Sequence, residues 1–315
     1  MIATALCLIL SVTRISPNQE KATLGYEKLP EGLKITLGDR QMATFLHGDP
    51  KIRRPFFANL HGTEGTRLTR NFPPQEGKDA TDHATMHPGL WLGFGDISGQ
   101  DFWRNKASMS FFGTTVEPGV KNGVLSFETS HALKRDDGTT LGNILSAYSV
   151  RLVPSGGLVV WEATLQAGEK GLVLGDQEEM GFGARMATEL IESKGGTITQ
   201  SNGKKSAKAT WGQAANWTDY SGRISGKDAG ITLMASPSNF RQSWWHNRDY
   251  GLMVANPFGR ASMKQGAKSA VELKAGESLR LVFGAVLHEG ADHDAGKAYA
   301  EFLQATGQGP LPKER

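Results

Sequence analysis

The chain is short of several features that would declare its purpose. Its 315 residues include one cysteine, Cys7, inside an apolar stretch near the N-terminus, so no intramolecular disulfide can form and the core must hold the fold alone. That stretch, Ile2 to Val12 (IATALCLILSV), has the length of a signal-peptide core, but it lacks a basic residue ahead of it and a clear small-x-small cleavage site after it. It is expected to be a leader or the remnant of one within residues 1–20, directing the protein to the periplasm or the cell exterior. No other segment approaches the roughly 18 uninterrupted apolar residues of a membrane helix. Excess charge is scarce too: 35 Lys and Arg stand against 32 Asp and Glu, a formal balance of +3. That excess is too small and too dispersed for the clustered basic stripe that phosphate backbones require, which excludes nucleic acid as an expected partner. Nor does any Pro/Ser linker, charge block or tandem repeat divide the chain, and residues 21–308 read as one domain with a short tail at 309–315.

What the sequence does have is glycine and alternation. The 39 glycines imply many turns. From Leu33 onward the dominant period is two. Leu279, Leu281, Phe283, Ala285 and Leu287 put one apolar face on a strand, and similar strands are predicted at 41–47, 124–133, 143–153, 158–166, 207–211, 230–235, 250–256 and 269–273. Asn122-Gly123, Asp137-Gly138 and Asn202-Gly203 supply the positive φ angles of tight turns. Only 294–303, DAGKAYAEFL, is predicted helical, with an Asp near its start and Gly307 beyond its end. The expectation is an all-β protein, a large antiparallel β-sandwich with one short C-terminal helix.

Four segments concentrate polar, titratable and aromatic groups on irregular sequence, where loops on a rigid scaffold carry chemistry. Thr81 to Trp103 holds Asp82, His83, His87, Trp91, Asp96, Asp101 and Trp103. Arg53 to Gly77 holds Arg54, His61 and Arg70, whose guanidinium forks match carboxylates or vicinal hydroxyls. In Gln177 to Ala187, an extended chain would place Glu179 and Arg185 on one face, with glycines between them and Glu178 turned away. Trp217 to Phe258 holds Asp219, Tyr220, Trp245, His246 and Arg248. Aromatic faces flanked by carboxylates, arginines and histidines suit a sugar, which has an apolar C–H side and a rim of hydroxyls.

Together these segments resemble the bacterial PmoA-like, or "methane oxygenase PmoA", proteins, a domain of unknown function. The residues carrying the resemblance are Arg54-Pro55-Phe56, Thr69-Arg70, Asp82-His83, His87, Gly89-Leu90-Trp91, Gly95-Asp96, Asp101-Phe102-Trp103, Glu179, Gly181-Phe182-Gly183, Arg185, Asp219-Tyr220-Ser221-Gly222, Trp245-His246, Arg248, Tyr250-Gly251-Leu252 and Asn256-Pro257-Phe258-Gly259. The chain departs from the family's Asp-His-Pro-His-His-Arg run, with Met86 in place of a histidine and Pro88 in place of the arginine. A genuine methane monooxygenase subunit spans the membrane, which this chain has no segment to do. The resemblance implies instead an exported β-sandwich of galactose-mutarotase-like supersandwich shape, by analogy.

The function expected is therefore carbohydrate chemistry: glycoside cleavage, lyase or epimerase-type. His87, His246, Glu179, Asp101 and Asp219 are the candidate acid–base groups. Arg54, His61, Arg70, His83, Trp91, Asp96, Trp103, Arg185, Tyr220, Trp245 and Arg248 are the candidate sugar contacts. Two other readings stand beside it: a non-catalytic carbohydrate-binding protein, and a metal site at His61, His83 and His87 with an Asp. No cofactor is expected, and the oligomeric state is not legible.

Overall fold

A computed structural model describes residues 22–309; the expected leader and Cys7 lie outside them. Two eight-stranded sheets are stacked, and every strand pairing in them is antiparallel. In spatial order the first consists of β1 (Leu24–Leu29), β2 (Gly32–Leu37), β3 (Arg40–Leu46), β4 (Phe56–Ala58), β5 (Leu90–Phe94), β11 (Met180–Arg185), β16 (Leu252–Asn256) and β15 (Trp244–Trp245). The second runs β12 (Thr197–Gln200), β13 (Trp217–Ile224), β14 (Lys227–Ala235), β18 (Ser278–Glu289), β9 (Gly156–Ala167), β8 (Thr140–Val153), β7 (Val124–Lys134) and β6 (Ser108–Lys121). A small ribbon pairs β10 (Leu172–Leu174) with β17 (Val271–Leu273). The all-β sandwich expected from alternation is what the chain forms.

Alternation builds the core directly, because every second side chain of a strand points to the same face. Phe57, Leu92, Phe182 and Met253 of the first sheet meet Phe127, Tyr148, Trp161 and Phe283 of the second in one continuous cluster. Phe182 stacks on Phe283 with centroids 5.3 Å apart and planes 11° apart, while Phe57 meets Trp161 edge-on at 5.9 Å. The outer face of β18 is also buried. Val282 and Val286 lie under α2 (Ala295–Ala305), whose Ala298, Tyr299, Phe302 and Leu303 close a second cluster. Gly284 makes room for this helix, since a Cβ there would sit 2.6 Å from the Phe302 ring.

Asp294 caps α2 by accepting from the Gly296 and Lys297 amides at 2.9 and 3.2 Å. One predicted strand is instead a single helical turn, α1 (Ala207–Thr210). The apparent alternation there comes from Ala-Lys-Ala, good helix formers, and Ser206 caps the turn through its hydroxyl.

The first sheet's outer face positions the site. Phe56, Ala58, Trp91, Leu252 and Val254 point away from the core, yet they are buried with Ile52 and Trp103 in a third cluster. Residues 47–55, 59–89 and 95–107 provide the cover. The middle segment far exceeds the usual connection of about 4–6 residues, a length found mostly where loops have functional work.

Candidate functional site

The covering loop is pinned by three buried arginines, each 2% exposed or less. Arg54 donates to the carbonyls of Trp103 at 2.8 Å and Phe102 at 3.3 Å, to Asn105 Oδ1 at 3.0 Å, and to the Met86 carbonyl. Arg70 donates to the carbonyls of Ala80, of Asp82 at 2.7 Å and of His87 at 3.0 Å. Arg185, the last residue of β11, reaches the Asp82 side chain with Nη2 at 2.8 Å from Oδ1 and Nη1 at 3.0 Å from Oδ2. The sequence-based expectation that Arg54 and Arg70 offer free forks to a sugar is corrected here: the Nη groups of both are buried and engaged by the carbonyls, and in one case the Asn105 side chain, of the covering segments.

Pinned in this way, the loop builds a column of rings. His87 stacks on Trp91 at 5.2 Å and 10°, His83 lies 5.0 Å from His87, and Tyr250 lies 6.1 Å from His83 at 19°. The Arg185 guanidinium covers Tyr250 at 4.5 Å, within cation–π range. Gly183 gives the column its floor, for a Cβ there would approach the Trp91 ring to 2.8 Å.

His83 is the column's solvent-reaching imidazole. Its Nδ1 lies 2.7 Å from Asp82 Oδ2, and the two side chains are 43% and 42% exposed. With the carboxylate facing Nδ1, Nε2 is the ring nitrogen turned away from Asp82, and it has no partner among the described residues. His83 adopts φ 51°, the left-handed region that histidine enters more readily than most residues. Partial burial opposes the charge on Asp82, but hydrogen bonds from Arg185 and His83, with Arg70 nearby, outweigh it and hold the carboxyl well below the usual range. His87 is the opposite case. Burial first, then Arg185, His83 and the other arginines, push its imidazole well below the usual value, and it is 5% exposed.

Beside the column runs an ionic strip. Asp101 pairs with Arg104 at 3.1 Å, and Arg104 with Glu179 at 2.8 Å. Glu178 pairs with Arg248 at 2.7 Å, and its carbonyl lies 3.1 Å from His246 Nδ1. Burial, helped by Glu179 and opposed by Arg248, raises the Glu178 carboxyl above its ordinary value. Burial and Arg248 pull His246 down to about 4. The strip joins the column at Tyr250, whose phenol is raised by burial and lowered by Arg185 and Arg248. Glu178 was expected to point away; it precedes β11, so strand alternation does not govern it. Asp82 and Tyr250 stood in the segments singled out from the sequence, but neither they nor Glu178 were among the candidate acid–base groups or sugar contacts, and the one signal for a role was the acid–imidazole adjacency of Asp82-His83.

Other expected contacts lie elsewhere. Trp91, Trp103, Trp245 and Tyr220 are at most 1% exposed and offer no ring face to a sugar. Large aromatics serve cores as readily as platforms, and these four serve the core. Asp96 caps a turn through the Gly99 amide at 2.9 Å, and His61 Nδ1 faces the Asn59 carbonyl at 2.7 Å. Asp219 belongs to the second sheet, beside His288 and His293. His61, His83 and His87 do not converge with an Asp. Among the described residues, the group of three His or carboxylate side chains with ligand atoms close together is Asp219, His288 and His293.

Fold and site define an antiparallel β-sandwich with an acid–imidazole pair on the outer face of one sheet. The chain belongs to the DUF6807 family, a family of unknown function, matched over residues 32–302. This corrects the PmoA-like assignment suggested by the resemblance, since the matching family is DUF6807. No curated protein matches. Among solved structures, the chain is similar to a galactose mutarotase-like protein from Lactobacillus casei, at 11% identity and TM-score 0.38 over 84% of this chain and 100% of that one. It is also similar to galactose 1-epimerase from Lactobacillus acidophilus, at 8% identity and TM-score 0.42 over 85% and 99%. A polysaccharide lyase matches at 11% identity and TM-score 0.34, covering 89% of this chain and 34% of its own.

Proposed function

We propose that the protein acts on carbohydrate, with the Asp82–His83 pair as its acid–base centre. One observation carries this reading: the exposed His83 ring is oriented through Nδ1 by Asp82, which the buried Arg185 clamps by both oxygens. A buried cation fixing a carboxylate, which in turn fixes an imidazole, is the arrangement that presents a general base in one tautomer. His83 Nε2 takes a proton from a carbon or hydroxyl of the sugar. Asp82, held as an anion, orients the ring and stabilises the imidazolium that forms. Glu178, in the neighbouring ionic strip and paired with Arg248 at 2.7 Å, is the candidate group for returning a proton. Partly exposed Arg104, Glu179 and Arg248 supply hydrogen-bonding groups for hydroxyls. Base and acid in these roles fit epimerase or lyase-type chemistry. Glycoside cleavage would need two carboxyl groups facing each other across the scissile bond, and Asp82 is already engaged by Arg185. His87, buried and held neutral, orders the column beneath His83.

A non-catalytic glycan-recognition role is the second reading, favoured by the pairing of Arg104 with Glu179, which leaves a rim suited to hydroxyls. The apolar run Ile2 to Val12 supports placing the protein in the periplasm or outside the cell. Purified protein, His83→Ala and Glu178→Gln are to be incubated with a panel of poly- and oligosaccharides and the products followed by mass. Turnover abolished by His83→Ala in a folded variant supports the catalytic reading. Glycan binding without product in all three selects recognition, and neither binding nor product overturns both.

A further inference from the structure

The second sheet carries a cluster that the acid–base pair does not use. Asp219 on β13 is 5% exposed. Its Oδ1 accepts from Thr232 Oγ1 at 2.7 Å and from His288 Nε2 at 2.9 Å, and its Oδ2 accepts from Ser221 Oγ at 2.8 Å. His293 Nε2 stands 3.8 Å from the same Oδ1 and 2.8 Å from Thr232 Oγ1. One carboxylate oxygen and two imidazole nitrogens thus lie within 4.8 Å of one another. A pocket of about 310 Å³ opens over them, bordered by Thr197, Ser221, Arg223 and Asp228.

A hydrogen-bond network built for stability alone would be closed and satisfied. This one is open on one side, because Asp219, His288 and His293 all line the pocket. Ligands of a tetrahedral first-row ion about 2.0–2.1 Å from the metal stand about 3.4 Å apart. The Asp219–His288 and Asp219–His293 separations, 2.9 and 3.8 Å, bracket that spacing. We propose that Asp219, His288 and His293 form a binding site for a borderline divalent cation of the zinc type, with its remaining coordination position open to the pocket.

The two imidazoles are stacked 3.5 Å apart with planes only 4° apart. An ion bound in-plane by both nitrogens requires one ring to leave the stack. His293 is the ring placed to move: it lies between the end of β18 and the Asp294 cap of α2, outside any strand, whereas His288 is fixed by the sheet. Each neutral imidazole ligates through Nε2 once its proton resides on Nδ1. The hydrogen bond from His288 to Asp219 is then exchanged for two bonds to the ion, and Ser221 continues to orient the carboxylate through Oδ2. The donor set of two histidines and one carboxylate, with an open position, is the kind that binds zinc in hydrolytic sites and other first-row ions elsewhere. The site lies on the other sheet from His83 and stands independently of that pair's role.

The test uses untagged, EDTA-stripped protein, Zn²⁺ by calorimetry and Co²⁺ by visible absorption, with metal content after dialysis read by mass spectrometry. Expected are one equivalent of Zn²⁺, a Co²⁺ spectrum in the d–d region, and affinity weakened more than about 100-fold by His293→Ala. Asp219→Asn, with circular dichroism confirming its fold, should weaken binding too, while His83→Ala should leave it unchanged. His293→Gln replaces His293→Ala if the latter fails to fold. Substoichiometric uptake, binding that survives both His293 variants, or binding lost in His83→Ala would each overturn the proposal.

Discussion

Arg185 holds both carboxylate oxygens of Asp82, at 2.8 and 3.0 Å, across 103 residues of sequence, with the arginine side chain 1% exposed and the aspartate 42%. The charge at risk is therefore the arginine's. Asp82→Ala strands a buried guanidinium and should lower stability by about 3 kcal/mol, the cost of an uncompensated buried charge. Asp82→Asn, which retains one acceptor, should lose less. Urea midpoints at pH 7 check this ordering, and equal midpoints for all three proteins would show that the pair is not holding the loop.

Gly183 leaves space that the Trp91 indole occupies. Gly183→Ala brings a Cβ to 2.8 Å from Trp91 Cζ2 and 3.3 Å from the Met253 carbonyl. The indole must shift, carrying His87 and His83 with it, for an overpacking cost of about 1–3 kcal/mol. The expected signature is a changed near-UV circular dichroism spectrum with the far-UV spectrum intact, accompanied by a fall in any His83-dependent turnover.

His246 ties stability to pH. Burial, helped by Arg248, pulls its imidazole from 6.5 to about 4. In the unfolded chain it titrates near its ordinary value, so between about pH 6.5 and 4 the unfolded state binds a proton that the folded state does not. Stability from this group is full above that window and falls with acidification, by about 2 kcal/mol at pH 5. His246→Gln should flatten this part of the profile. Comparing denaturation midpoints of variant and wild type at pH 7 and 5 isolates it from the other buried histidines.

The α2 cap offers a local test. Asp294→Ala removes the acceptor for the Gly296 and Lys297 amides and should cost about 1 kcal/mol. Asp294→Ser should recover most of that loss. Thermal unfolding of the three proteins measures the series.

The sheets were legible because alternation is a local signal. Leu279 through Leu287 announce β18, and Asn122-Gly123 marks the β6–β7 hairpin. β6 itself gave no sign, since it is exposed over most of its length and its register shifts near Phe111, Thr114 and Val116 break the period. At the site, the sequence exposed the right segments but not the roles within them. His83 and His87 look alike in a string of letters, and only burial separates the reachable imidazole from the one beneath it. Trp91 and Trp103 are equally ambiguous between platform and core. The Arg185–Asp82 contact joins segments that nothing local connects, and a separation of 69 residues likewise hid the meeting of Asp219 with His288.

Arg54 and Arg70 grip the loop by peptide carbonyls, those of Ala80, Asp82, Met86 and His87. Every amino acid carries such a carbonyl, so the anchorage does not depend on the identity of the residues it holds. Ala84 and Thr85 can therefore be exchanged while the track of the chain is preserved, whereas Met86 packs its side chain on the cluster around Trp91 and Trp103. For laboratory evolution this is an interchangeable cassette next to His83, where randomising these two positions would sample new substrate preferences on an unchanged framework.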